Sequence, residues 1–185
     1  MIGLGCFLGG GRFAEQSIRR YSGDFQPRHL VLPGDLVLAN TDLAQRREVL
    51  GSPAVVPSRV GFERAIFTHH VFAARFLDGK GFWRRFVYYS LLQDEFRERA
   101  AGFATGTTVL ALPRDAVLEH RIPSPPLPLV AAFDAIAGVL TEGIWTATQM
   151  SGTLAAIRDA LLPRLISGEV RVRDADVAGT AVSLA

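Results

Sequence analysis

Short apolar runs separated by turn-forming residues characterise the first half of the chain. Residues 29–32 and 36–39 are apolar and flank residues 33–35, a Pro-Gly-Asp sequence that favours a turn. Residues 54–56 form another short apolar run, and residues 65–76 form a longer one with a polar centre. Runs of this length predict short strands, so we expect a small β-sheet in this half of the chain.

The first 23 residues predict a loop, because glycines are frequent at the start and polar and basic residues follow them. The glycines of residues 3–11 do not indicate a nucleotide-binding loop. A nucleotide-binding loop of this type follows a strand and ends in a lysine and then a serine or threonine. No predicted strand precedes these glycines, and no such pair of residues follows them.

An amphipathic helix is predicted over residues 82–100, where aromatic and leucine side chains recur every three or four positions and should face the core. A small flexible stretch follows at 103–108, then an apolar run at 109–112 and a helical turn that begins near Pro113. Prolines at four positions between 123 and 128 predict a stiff boundary, since proline disrupts the interior of a helix.

Beyond the prolines, apolar residues recur at steps of three and four over about 33 residues, which predicts a coiled-coil-type helix about 50 Å long. These residues are Leu129, Phe133, Ile136, Leu140, Ile144, Ala147, Met150, Leu154, Ile157 and Leu161. A small domain cannot cover so long a face, so we expect it to bind another helix, in a second copy or in a different subunit. Pro163 should kink or end the helix, leaving a short closing segment from Leu165 to Val172.

The predicted fold class is therefore α+β: a small mixed β-sheet domain with flanking helices, followed by the long helix. The first domain should cover residues 1–126. The long helix and its closing segment should cover residues 127–170, and residues 171–185 should form a flexible tail.

Composition agrees with a folded protein, since 49% of the 185 residues are hydrophobic and 21% are charged. The net charge is only +2, but all basic residues except Lys80 are arginines, which suit phosphates and guanine edges. A GC-rich genome, which favours arginine codons, explains the same bias equally well. A single cysteine, Cys6, and no apolar run of about 18 residues predict a soluble cytoplasmic protein.

Residues 40–47, with the sequence NTDLAQRR, follow the predicted strand at 36–39 and bring together side chains that pair with base edges. Asparagine and glutamine pair with adenine, arginine with guanine, and aspartate with the amino group of cytosine. An ordinary polar loop with a helix cap at Thr41 or Asp42 fits the sequence equally well.

His69 and His70 are expected on a strand, with side chains on opposite faces that cannot share one metal ion. A structural role, or contact with a base or phosphate, fits them better. The segment at residues 106–108 is either a phosphate-contacting turn or a hinge.

No motif of a hydrolase, an adenine methyltransferase or a common nuclease is present in the sequence. We therefore expect a non-catalytic binding module without cofactor or metal. A small hydrolase that uses His69 or His70 with Asp42 is a distant alternative.

Three stretches together resemble the specificity subunits of type I restriction-modification systems. Residues 19–25 (RRYSGDF) and 33–43 (PGDLVLANTDL) are similar to the first half of a target recognition domain of that family. Residues 106–113 (GTTVLALP) and 122–126 (IPSPP) resemble the segment that ends such a domain. Residues 161–170 (LLPRLISGEV) are similar to the close of these subunits after their long spacer helix.

The resemblance implies sequence-specific DNA binding, with methylation carried out by separate methyltransferase subunits and cleavage by a restriction subunit. Family members read a bipartite site with two recognition domains whose long helices pack against each other. This chain has one such domain, which begins partway into the family pattern, so we expect its opening part to be missing. A second specificity half or a second copy of the chain should complete it.

Resemblance and side-chain chemistry together predict the DNA contacts in four loops. The candidate residues are Arg12, Gln16, Arg19, Arg20, Thr41, Asp42, Gln45, Arg46, Thr68, His69, His70, Thr107 and Thr108. The main alternative is a truncated interaction protein that no longer binds DNA and docks a partner through its long helix.

Overall fold

The computed structural model of the chain describes residues 1–43, 48–57, 62–76 and 80–171. The predicted α+β class is confirmed, with small antiparallel sheets and a long C-terminal helix, 49% helix and 16% strand. The strands are β1 (Phe7–Leu8), β2 (Arg12–Phe13), β3 (Leu30–Val31), β4 (Leu36–Ala39), β5 (Thr41–Asp42), β6 (Pro53–Val55), β7 (Ala65–Ile66), β8 (Val71–Ala74) and β9 (Leu110–Ala111). The helices are α1 (Trp83–Leu91), α2 (Asp94–Phe103), α3 (Arg114–Leu118) and α4 (Leu127–Ile166).

The chain divides into two compact units, Met1–Gly138 and Val139–Ala185. The first unit contains all nine of the strands given above, together with α1 to α3 and the first turns of α4. The second contains the rest of α4. Everything that could form a recognition site from several elements therefore belongs to the first unit.

β4 is the central strand of a three-stranded antiparallel sheet, with β6 on one side and β8 on the other. All four of its residues are buried, because both faces of the sheet are covered. Val37 and Ala39 pack into a cluster with the N-terminal segment. Leu36 and Leu38 point to the opposite face and pack with Phe96 of α2. The strands predicted at 29–32, 36–39 and 54–56 are all present; the bounds of β4 are as predicted, and the ends of the other two differ by one residue.

The N-terminal segment is not the plain loop that the sequence predicted. β1 pairs with β2, and Ile2 forms a parallel bridge with Phe67. Ile2 and Cys6 are fully buried, and burial raises the pKa of the Cys6 thiol. The prediction was wrong because these elements are two or three residues long, too short to produce a hydrophobic period.

The single strand predicted over 65–76 is two strands in different sheets. β7 pairs with β3, whereas β8 pairs with β4. His69 and His70 form the turn between them. The polar centre of this run therefore marks a change of sheet rather than an interruption within one strand.

The helix predicted over 82–100 is also divided. α1 ends at Leu91, and α2 begins after Gln93, whose extended backbone (ψ 151°) breaks the helix. Phe96 is fully buried. Phe86 and Tyr89 instead pack edge-on against Phe133 of α4, with ring centroids 5.8 and 5.7 Å apart.

α4 has 40 residues, so it is about 60 Å long. Its second residue is Pro128, which the first turn of a helix tolerates because no backbone donor is needed there. Pro163 does not end the helix, which continues to Ile166. The end is closed by Gly168 in the left-handed conformation (φ 75°), and the Val170 amide donates to the Arg164 carbonyl at 3.1 Å.

The first turns of α4 are anchored within the first unit. Arg85 of α1 forms an ion pair with Asp134, with Nη1 and Oδ1 2.9 Å apart. Val130 and Ala137 on the same side of the helix are buried. A Cβ at Gly138 would lie 3.3 Å from the guanidinium carbon of Arg85, so the helix approaches α1 closely there.

In the second unit, one apolar face of α4 is open to solvent. Leu140, Ala147, Leu154 and Leu161 follow one another at seven-residue steps, and we call these four residues the seam. The three leucines are 41 to 63% exposed. A seven-residue period over three turns or more is typical of a helix that pairs with another helix.

By length and composition, α4 is also apolar enough to cross a membrane. The helix meets this criterion although it contains no uninterrupted apolar run of about 18 residues, because Asp134 and Glu142 lie within it. Length and composition do not by themselves separate a membrane span from an interaction helix.

Candidate nucleic-acid interface

Backbone hydrogen bonds connect several of the segments that carry predicted DNA contacts. The Arg19 amide donates to the Met1 carbonyl at 3.1 Å, and the Thr68 amide donates to the Ile2 carbonyl at 3.0 Å. The first two residues therefore lie between residue 19 and residues 66–68. Segments joined in this way are about 5 Å apart, so positions 19 and 68 flank the same segment and are about 10 Å apart although distant in sequence.

The same connection continues towards the second half of the domain. The Asn40 amide donates to the His70 carbonyl at 3.0 Å, and the Leu112 amide donates to the Asn40 carbonyl at 2.7 Å. β5 pairs with β9, which places Thr41 opposite Ala111. We call the connected residues 1–2, 19, 40–41, 68–70 and 105–112 the ribbon. It contains residues of all four predicted loops, although only Arg19 of the first loop belongs to it.

The two histidines do not point to opposite faces as predicted. They lie in a turn, and their ring centroids are 3.8 Å apart with the planes tilted by 42°. Thr41 Oγ1 lies 2.9 Å from His70 Nδ1, and Asn40 Nδ2 donates to the His69 carbonyl at 2.9 Å. The prediction failed because it assumed the alternation of a strand.

Burial lowers the pKa of His70, and the neighbouring His69 lowers it further. His69 is exposed, and His70 and Thr68 are partly buried. The lowered pKa favours the neutral imidazole of His70, whose ring nitrogens can donate or accept a hydrogen bond. Within the described residues, no group of three or more histidine, cysteine, aspartate or glutamate side chains could hold a metal ion.

Asp42 is buried, so its side chain is not available at the surface for a base contact. It is 1% exposed, and its Oδ2 accepts a hydrogen bond from the Val49 amide at 3.1 Å. Gln45 and Arg46, the other candidates predicted in this segment, lie outside the described residues.

Thr107 and Thr108 are exposed in the loop that Thr105 and Ala111 close. The Thr105 amide and carbonyl both bond to Ala111, at 3.0 and 2.8 Å. Gly106 has a φ of 107°, and a Cβ there would collide with the Val109 carbonyl, so this turn requires glycine. Both hydroxyls therefore sit on a tightly held loop at one end of the ribbon.

The remaining candidates are all exposed but are placed differently. Arg12 lies on β2, and its Nε donates to the Gly9 carbonyl at 3.2 Å within its own hairpin. Gln16 lies in a 3-10 turn at Glu15–Ser17. Arg19 belongs to the ribbon, and Arg20 follows it directly. The contacts given above do not connect Arg12 or Gln16 with the ribbon.

A cleft of about 440 Å³ opens next to Arg19 and Arg20, and the sequence did not predict it. It is lined by Tyr21, Phe25, Phe62 and Arg64 in addition to those two arginines, and its apolar floor includes Leu30 and Ile66. The pairing of β3 with β7 brings residues 62–66 to residues 19–30. The sequence RRYSGDF gives one side of the cleft, but no local pattern indicates which segment lies opposite it.

The ribbon and the cleft combine hydroxyls, imidazole rings, arginines and exposed aromatic rings. Hydroxyls and backbone amides suit phosphates, arginines suit phosphates and guanine, and aromatic rings suit bases. The surface formed by the described residues of the ribbon and the cleft therefore offers groups of the kinds that bind nucleic acids.

Two comparisons with known proteins found nothing. No protein-family model matches the chain, and no curated protein matches it. The function of this α+β protein therefore has to be inferred from its own residues and their geometry.

Proposed function

We propose that this protein is a sequence-specific DNA-binding subunit of the type I restriction-modification kind, acting in the cytoplasm without catalysis of its own. The proposal assigns DNA recognition to the first unit. It assigns methylation to partner methyltransferase subunits and cleavage to a restriction subunit that reaches this chain through them.

The observation that carries the proposal is the ribbon. Residues that the sequence singled out for DNA contact, and that are up to about 90 positions apart, meet along one row of backbone hydrogen bonds. Arg19, His69, Thr107 and Thr108 are all exposed there. A rigid backbone with polar groups at its surface is what reading a groove of DNA requires, since base contacts depend on fixed donor and acceptor positions.

The buried Asp42 has a supporting role in this proposal. Its hydrogen bond with the Val49 amide joins the described backbone on the two sides of Gln45 and Arg46. In binding proteins, variable recognition segments are commonly carried on a constant framework. We therefore assign base reading to the loops and the position of the loops to the framework.

The seam supports the proposed partners. Leu154 is 63% exposed and Leu140 is 59% exposed, and isolated chains rarely leave a regular apolar face of this length open. We propose that the seam packs against the long helix of a second specificity half, which a second copy of this chain can supply. Two first units would then read two half-sites.

The alternative function is an interaction protein that docks a partner through α4 and does not bind DNA. The exposed seam favours it as much as it favours the first proposal, so α4 does not separate the two. The surface of the first unit does, because only the DNA-binding proposal requires the arginines and hydroxyls of the ribbon.

The test is selection of DNA by the assembled complex. The chain is purified together with the methyltransferase subunit encoded beside it, and the complex selects duplexes from a random pool at moderate salt. The proposal expects one motif to be enriched, and a symmetric split motif if two copies pair. Formation of the complex without any enriched motif would support the interaction protein and overturn the proposal.

A matched pair of variants links the result to the ribbon. Thr107→Val and Thr108→Val remove two exposed hydroxyls and keep the side-chain shape, so the complex should assemble normally but enrich the motif less. Thr146→Val is the control, since its hydroxyl donates to the Glu142 carbonyl on α4 at 2.9 Å and lies in the other unit. An equal effect of both changes on enrichment would contradict the role of the ribbon.

A further inference from the structure

The cleft beside Arg19 has the chemistry of a site for a flat ring with an attached anion. Tyr21 and Phe25 are 48 and 44% exposed, far more than aromatic rings that serve as core. Phe62 packs against the main core cluster and gives the cleft a fixed base. The volume of about 440 Å³ lies within the range of small-ligand sites.

The charge in the cleft has one sign. Arg19, Arg20 and Arg64 line it, and the described residues that line it include no aspartate or glutamate. Among the ion pairs of the part of the chain that the structure describes, none involves these three arginines. Three exposed guanidinium groups without a protein carboxylate favour an anionic ligand.

The ring of Tyr21 is held in place from outside the cleft. Its hydroxyl donates to the Asp24 carbonyl at 2.9 Å, which closes the turn at residues 21–24. A Cβ at Gly23 would lie 2.5 Å from that hydroxyl, so glycine at this position leaves room for the ring to fold over the turn. A ring fixed before binding loses little freedom when a ligand stacks on it.

We infer that the cleft binds an unpaired nucleobase with its 5′-phosphate, the base stacking on Tyr21 and Phe25 and the phosphate lying against the arginines. The inference deepens the proposed function and rests on it where the base belongs to a DNA strand. A free nucleotide offers the same chemistry. A fully paired duplex does not, because its bases are stacked on each other and their faces are hidden.

The first measurement compares two labelled duplexes that differ by one unpaired adenine. Fluorescence anisotropy with the full chain gives the affinity for each. The inference expects the duplex with the unpaired adenine to bind on the order of 10-fold more tightly. Tyr21→Ala and Phe25→Ala should abolish this advantage and leave the affinity for the paired duplex unchanged. Tyr21→Phe keeps the ring and should retain the advantage.

The control variant is Phe103→Ala, which removes an aromatic ring of similar exposure outside the cleft. Phe103 is 41% exposed. The guanidinium carbon of Arg99 lies over the Phe103 ring, 4.6 Å from the ring centroid. The change should not affect the preference for the unpaired adenine. If it does, the preference comes from exposed aromatic rings in general and the assignment to the cleft is overturned.

The second measurement follows deoxyadenosine monophosphate by ligand-observed NMR with the same variants. Binding of the nucleotide that is lost in Tyr21→Ala and kept in Tyr21→Phe supports the cleft as a nucleotide site. If this result is obtained but neither duplex binds, the proposed DNA function fails and the inference about the cleft stands. Equal binding of the two duplexes, without Tyr21-dependent nucleotide binding, overturns the inference and leaves DNA recognition intact. Absence of binding in both measurements overturns both.

Discussion

Replacing Arg19, Arg20 and Arg64 together with alanine should weaken the salt dependence of DNA binding. Each arginine that contacts a phosphate releases counterions and contributes about 0.9 to the slope of log affinity against log salt. All three are exposed, and none of them forms an ion pair with another of the described residues. The triple variant should therefore lose about 2.7 of the slope if each guanidinium contacts one phosphate.

In practical terms, three such contacts account for about a 40-fold loss of affinity between 50 and 200 mM salt. The assay is anisotropy of one labelled duplex over that range. Arg158→Ala is the control, since Arg158 pairs with Asp159 on α4 at 2.8 Å and belongs to the other unit. An unchanged slope in the triple variant, or an equal change in the control, would refute the placement of DNA on this side of the first unit.

Three further results are expected. Phe133→Ala should lower the free energy of unfolding of the first unit by about 2–4 kcal/mol, because a large ring and two edge-on aromatic contacts are lost. Leu129→Ala, at an exposed position of the same helix, should cost less than about 0.5 kcal/mol in the same denaturant titration. Equal costs would contradict the packing of α4 on α1. Burial lowers the pKa of His120 below its ordinary 6.5, so the unfolded chain binds its proton more readily. The contribution of His120 to the free energy of unfolding is therefore full above about pH 6.5 and is lost as the pH falls through the folded-state pKa. His120→Gln should reduce the loss of stability over this acidic range, measured as the free energy of unfolding against pH. An unchanged dependence on pH would exclude His120 as its cause. Leu154→Arg should reduce self-association of the chain in analytical ultracentrifugation. Ala156→Arg, at an exposed position about half a helical turn away, should leave self-association unchanged. A monomeric chain without substitutions would contradict pairing through the seam.

The sequence predicted the elements that have strong local signals. The long α4 and the strand at 36–39 were predicted well, because a sustained helical period and a compact apolar run bounded by Pro33 and Gly34 are unambiguous. The split between α1 and α2 was missed, since one extended residue, Gln93, interrupts a stripe that is otherwise continuous. Two-residue strands such as β1 and β7 carry no period at all and depend on tertiary contacts.

The candidate site was only partly predictable for the same reason. The residue types at Arg19, Thr41 and Thr107 indicated contact with DNA, but their common position depends on hydrogen bonds between segments that are distant in sequence. The opposite-face prediction for His69 and His70 failed because the turn, not the strand, sets their direction. The cleft was missed because Phe62 and Arg64 reach it only through the pairing of β3 with β7.

The most direct test of DNA recognition is a competition between the selected duplex and a shuffled duplex of the same length and composition. The account predicts that the complex binds the selected duplex at least about 1,000-fold more tightly at physiological salt, the lower end for proteins that read a sequence. Equal affinity for the two duplexes would contradict it, because phosphate contacts alone cannot distinguish them.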